Sequence, residues 1–174
     1  MAGEEIVPYC LSLALFSATG GFWTVAAFIL RGAKEGAREL GSVELGVALM
    51  HLIAICFLLS VGHGFEAVAV FFLCLPWFAL GLKDYAGLPN LRPVGDWCNV
   101  LTVAFVCGAV YAWIKMHFIT LGAMLLSYAG IGLLLTLTSY GKISPKVLAY
   151  YLLVVATVLI LIPGLAFWFG IPLP

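Results

Sequence analysis

The stretch Phe118–Phe169, FITLGAMLLSYAGIGLLLTLTSYGKISPKVLAYYLLVVATVLILIPGLAFWF, decides the fold. Two apolar runs, 118–138 and 147–169, flank a small basic knot, SYGKISPK, at Ser139–Lys146. Each run is about 20 residues long, the length a helix needs to cross about 30 Å of hydrocarbon. Neither run alternates apolar with polar residues, as a half-buried strand would. Pro145 cannot continue the helix before it and suits the first turn of the helix after it. The knot therefore predicts a tight turn between two membrane-spanning helices.

Working outward, the whole chain repeats this pattern. It has 174 residues, of which 64% are hydrophobic and 9% charged. A soluble domain carries about a quarter charged residues, so this chain has too little polar surface to face water. Six apolar segments are predicted to span: about 6–30, 45–61, 65–82, 97–113, 118–138 and 147–169. Backbone amides in hydrocarbon must be bonded within their own segment or around a closed barrel. The missing two-residue alternation excludes the barrel. The expected fold class is an all-α integral membrane protein, a single six-transmembrane-helix bundle. The acidic start MAGEE has no basic region or cleavage pattern, so the first helix is expected to remain.

Seven of the eight Lys and Arg residues fall in the first, third and fifth loops: Arg31, Lys34, Arg38, Lys83, Arg92, Lys142 and Lys146. Only Lys115 lies on the other side. The positive-inside rule makes those loops cytoplasmic and puts both termini outside. The knot at 139–146 is thus a topology anchor as well as a turn. The expected location is the cytoplasmic (inner) membrane, crossed several times, with the lipid bilayer as partner and no nucleic acid.

The chemistry on offer is sparse. Glu4, Glu5, Glu35, Glu39, Glu44, Glu66, Asp84 and Asp96 all fall in expected loops or at helix ends. A proton-coupled carrier needs a charge near the midplane, so passage of a neutral solute is the expectation. No phosphate loop, zinc-helix motif or nucleophile elbow occurs. Cys10, Cys56, Cys74, Cys98 and Cys107 include no C-x-x-C pair and read as buried thiols. No cofactor, metal or catalytic residue is expected, and the chain is read as no enzyme.

Polar and aromatic positions inside the spans supply the candidates for a path. His51 has two readings, a neutral histidine bonded to a neighbouring helix or a lining and gating group. Trp77 follows Pro76, where proline frees a backbone carbonyl and bends the helix. An indole beside such a carbonyl suits a small polar amide, against the alternative of plain packing. Phe78, Trp97, Tyr111, Ser127 and Tyr151 complete the expected pore-lining set. Trp23, Trp97, Trp113 and Trp168 lie close to predicted span ends and read as an interfacial belt. Gly20, Gly21, Gly108, Gly122, Gly130 and Gly132 allow close helix approach.

Two stretches resemble the family of acid-gated urea channels and amidase-linked short-amide channels. In AGLPNLRPVGDWCNVLTVA (86–104) the matching positions are Gly87, Leu88, Arg92, Pro93 and Trp97. In GKISPKVLA and the later IPGLAF they are Gly141, Lys142, Ser144, Ile162 and Pro163. The resemblance implies a homohexamer with one passive path through each six-helix protomer, selected by aromatic constrictions. It puts the family's third-helix aromatic near Trp77 and its fourth-helix tryptophan on Trp97. The chain departs from the urea channels on the fifth helix, with Thr120, Ala123 and Ser127 where they carry tryptophans. It departs again on the sixth, with Tyr150 and Tyr151 in place of a polar or acidic residue. A small neutral solute is implied, urea or a short-chain amide.

Besides a non-catalytic assembly subunit, two alternatives remain at this level. One is a small-carboxylate carrier like the six-helix acetate/succinate transporters, whose N-terminal N-P-A-P-L-G-type motif is missing here. The other is a membrane enzyme using the Lys83–Asp96 loop, which could gather Lys83, Asp84, Asn90, Arg92 and Asp96 at one face. Acid gating is not expected. His63 and His117 are the external histidines, both in short turns, and His63 is placed to pair with Glu66.

Overall fold

In the computed structural model, residues 6–32 and 35–174 are described; Glu4, Glu5 and Lys34 lie outside them. Six helices are present: α1 (Val7–Leu30), α2 (Ala37–Ser60), α3 (Gly64–Tyr85), α4 (Arg92–Ile114), α5 (Ile119–Ser139) and α6 (Pro145–Trp168). Each is long and apolar enough to cross a membrane. α2 begins at Ala37 rather than near 45, and α4 at Arg92 rather than near 97. Their charged first turns stay helical because backbone bonding continues after the hydropathy has fallen.

Turn chemistry closes the helices where the sequence leads one to expect it. Ser144 caps α6, its hydroxyl accepting the Lys146 N–H at 3.3 Å, with Pro145 in the first turn. α5 ends on Gly141 at φ 66°, and the Lys142 N–H reaches back to the Leu137 carbonyl at 2.9 Å. Only glycine adopts that left-handed conformation at little cost, and it satisfies a carbonyl the helix end would otherwise expose. α4 does without glycine. His117 takes φ 53°, and Phe118 N–H bonds the Ala112 carbonyl at 3.0 Å.

The helices form a ring in chain order. α1 packs on α2 and α6, α2 on α3, α4 on α5, and α5 on α6, while α3 and α4 meet only lightly. Small residues make the two intimate pairs. An added Cβ on Gly41 would overlap the Tyr85 backbone, and one on Gly81 would sit 2.8 Å from the Leu45 side chain. Between α4 and α5, Thr136 Oγ1 donates to the Gly95 carbonyl at 2.8 Å, and a Cβ on Gly132 would lie 2.9 Å from the Cys98 carbonyl. In lipid such packing replaces hydrophobic drive as the source of association. Gly20, expected to pack, has open space beside it.

α6 is not uniform. Pro145–Val155 is α-helical, Ala156–Leu161 winds as a wider π-helix, and Ile162–Trp168 is α-helical again. Pro163 has no N–H for the Leu159 carbonyl, and its ring would crowd that group in an uninterrupted α-helix. Widening the preceding turn admits the proline without breaking the span.

The start of α1 and the C-terminal residues lie at one end of the bundle. Tyr9 stacks edge-on against Trp168 at 5.4 Å, and Thr120 N–H donates to the Pro174 carbonyl at 2.8 Å. The opposite end carries Arg31, Arg38, Lys83, Arg92, Lys142 and Lys146. These are called the terminal end and the basic end below.

Candidate functional site

Because α3 and α4 barely touch, space remains along the bundle interior. It is divided into two cavities. The larger, about 130 Å³, opens toward the terminal end among Leu15, Phe65, Glu66, Met116, Leu121 and Phe167. The smaller, about 50 Å³, lies toward the basic end among Pro76, Trp77, Leu80, Leu101, Ile131 and Leu135. Leu73 of α3 and Tyr128 of α5 line both. The cavities are thus in line along the bundle, with these two side chains between them.

An aromatic layer surrounds that junction. Phe22 lies 4.7 Å from Trp77 and 6.1 Å from Tyr128, and Phe105 lies 5.8 Å from Tyr128, all as tilted ring pairs. Four helices contribute one ring each, so the layer exists only once the bundle is assembled. Gly21 makes room for the indole, since a Cβ there would lie 2.7 Å from its Cη2. The Tyr128 hydroxyl is fully enclosed and has no hydrogen-bond partner among the described residues. Among the described residues Glu66 is the only charged side chain lining either cavity, and it pairs with His63 at 3.3 Å, as the spacing had suggested.

Of the residues singled out from sequence, Trp77 is buried at 3% exposure and lines the smaller cavity. Tyr151 ties α6 to α5, its hydroxyl donating to the Ser127 carbonyl at 3.2 Å, while Ser127 Oγ donates to the Met124 carbonyl of its own helix. His51 is fully buried but lines neither cavity. Its Nδ1–H donates to the Val47 carbonyl of its own helix at 2.8 Å, not to a neighbouring helix, and Nε2 has no partner. Phe78, Trp97 and Tyr111 lie on the outer surface. Aromatic identity alone did not reveal helix rotation, which is what separates Trp77 from the adjacent Phe78.

Tyr128, Phe22, Phe105 and Leu73 were missed. A usable signal was present for Tyr128, because Leu121, Met124, Tyr128 and Leu135 recur at helical spacing along one face of α5.

One charge assignment changes. Glu44, expected at a helix end, is 1% exposed within α2. It faces Asp84 and Lys83 of α3, and its Oε2 has no partner. The polar groups of the Lys83–Asp96 loop are each held in local contacts. Lys83 pairs with Asp84, while Asn90 Oδ1 accepts the Arg92 N–H at 3.0 Å and so caps α4. Asp96 accepts the Tyr140 hydroxyl, which pushes that phenol's pKa up, and Arg92 lies over the Tyr140 ring at 5.7 Å. Among the described residues no group of three His, Cys, Asp or Glu side chains could hold a metal ion.

A six-helix membrane bundle with an interior, aromatic-lined pair of cavities is the class this architecture defines. No protein-family model matches the chain, and no curated protein matches it in sequence. Among solved structures, the cryo-EM structure of the Helicobacter pylori urea channel in its closed state matches with a TM-score of 0.82. The match covers 91% of this chain and 97% of that one at 10% identity. This chain therefore has the fold of that urea channel, in keeping with the resemblance of its 86–104 and 141–163 stretches. At that identity it is the fold that the two share.

Proposed function

We propose that this protein is a passive channel for a small neutral solute, urea or a short-chain amide, across the cytoplasmic membrane. One observation carries the reading: two cavities lie in line through the bundle and share Leu73 and Tyr128 at their junction. The shared fold with a urea channel supports it. A neutral solute fits this lining best. An anion entering the larger cavity meets Glu66 and finds no cation lining either space, and an unpaired charge in an apolar cavity is costly. That disfavours a carboxylate carrier.

In this reading the basic end faces the cytoplasm and both termini face outward. The protein works as a homohexamer, each protomer holding its own path. A groove of about 360 Å³ on the outer face of α1 and α2, floored by Gly20 and Gly46, suits a neighbouring protomer's helix.

The test is stopped-flow solute uptake into proteoliposomes, with and without a proton gradient. Uptake of acetamide or urea should exceed that of protein-free vesicles and ignore the gradient. Uptake that stops when the gradient collapses, or none for either solute, would overturn the proposal.

A further inference from the structure

The lining of the two cavities is nearly all hydrocarbon and ring carbon. At their junction one polar atom stands apart, the Tyr128 hydroxyl. It belongs to a side chain that is 4% exposed and lines both cavities, and it has no hydrogen-bond partner among the described residues. Phe22 and Phe105 stack on its ring at 6.1 and 5.8 Å, so the ring is held while its oxygen is left free. A buried hydroxyl without a partner is costly to keep. Nothing in the packing calls for it, because phenylalanine would present the same ring to Phe22 and Phe105.

We infer that Tyr128 is the specificity-determining residue of the path, offering one hydrogen-bonding contact to solutes with a single polar head and a small apolar remainder. The inference rests on the channel reading and deepens it. A solute crossing the junction sheds its water, and each polar group it carries then needs a partner. One hydroxyl can donate one hydrogen bond and accept another. Acetamide can give its carbonyl the Tyr128 proton, while its methyl group rests against the apolar wall. Urea replaces that methyl with a second amino group, which finds no partner at the junction. A site with too few polar groups rejects the more polar analogue, because the unmade bonds are lost in the barrier.

The experiment measures acetamide, urea and osmotic water flux in proteoliposomes of wild type, Tyr128→Phe and Tyr9→Phe. Tyr9 is exposed at the terminal end and serves as a hydroxyl-removal control. Wild type should pass acetamide at least about tenfold faster than urea. Tyr128→Phe should slow acetamide about five- to tenfold, since one hydrogen bond is lost at the junction. Its water flux should change less than about twofold, because the ring that shapes the passage stays. Tyr9→Phe should change nothing. A melting temperature for Tyr128→Phe at or above wild type supports the inference, since a partnerless hydroxyl adds no stability. Urea passing as fast as acetamide in wild type overturns it, as does acetamide flux unchanged in Tyr128→Phe. No flux of either solute in wild type overturns the channel reading itself, a result distinct from a wrong ranking.

Discussion

Trp77→Ala separates a path-lining role from simple packing. Trp77 is 3% exposed, stacks on Phe22 at 4.7 Å and forms one wall of a cavity of about 50 Å³. Truncating a buried tryptophan in a water-soluble core costs about 3–5 kcal/mol. Part of that is transfer from water, which does not apply when the unfolded reference is a helix already in lipid. The remaining cost is unfilled space at about 24 cal/mol per Å³, so about 100 Å³ left empty gives about 2.4 kcal/mol. The same space added to the smaller cavity would enlarge it about threefold. A solute longer by two methylenes should then pass, and one methylene in a fitted pocket is worth about tenfold or more. The assay is stopped-flow uptake of butyramide against acetamide, with thermal unfolding in detergent alongside. The butyramide-to-acetamide ratio should rise about tenfold in Trp77→Ala. It should stay unchanged in Trp168→Ala, whose ring is half exposed beside Tyr9 and Phe16. Folded Trp77→Ala with an unchanged ratio, or Trp168→Ala with an equal shift, would refute the reasoning.

Three further outcomes are expected. A cysteine at Ser144, in the turn at the basic end, should resist an impermeant thiol reagent applied outside cells, and one at Gly64 should react; the reverse pattern would invert the proposed orientation. Gly132→Leu should destabilise the α4–α5 pair by about 1–3 kcal/mol, because even a Cβ there would lie 2.9 Å from the Cys98 carbonyl and 2.6 Å from Thr102 Oγ1; an unchanged melting temperature would count against the close crossing. Solute flux should change less than about threefold between about pH 7 and pH 5, since the His63–Glu66 pair sits within one helical turn at the start of α3; a steep rise in acid that His63→Ala abolishes would show that so short a segment can gate.

Much of the architecture was legible along the chain. Hydropathy runs, together with Pro145, determined the six spans and the turn between the last two, because helix length, helix breaking and membrane solvation are local matters. Apolar composition likewise fixed the class, since a chain with 9% charged residues cannot cover itself with water-facing surface. The contents of the interior were not legible in the same way. Trp77 and Phe78 are neighbours in sequence and equally aromatic, yet one lines a cavity and the other faces outward. In a span that is apolar all round, hydrophobicity does not mark the inward face. Charge also misled, because Glu44 looks like an interfacial acid until α3 brings Lys83 and Asp84 against it. Only the tertiary structure brought four rings from four helices into one layer, with the unpartnered Tyr128 hydroxyl on one of them. Helix rotation in a bundle is decided by which small residues let neighbouring backbones approach, and that is a property of pairs of helices.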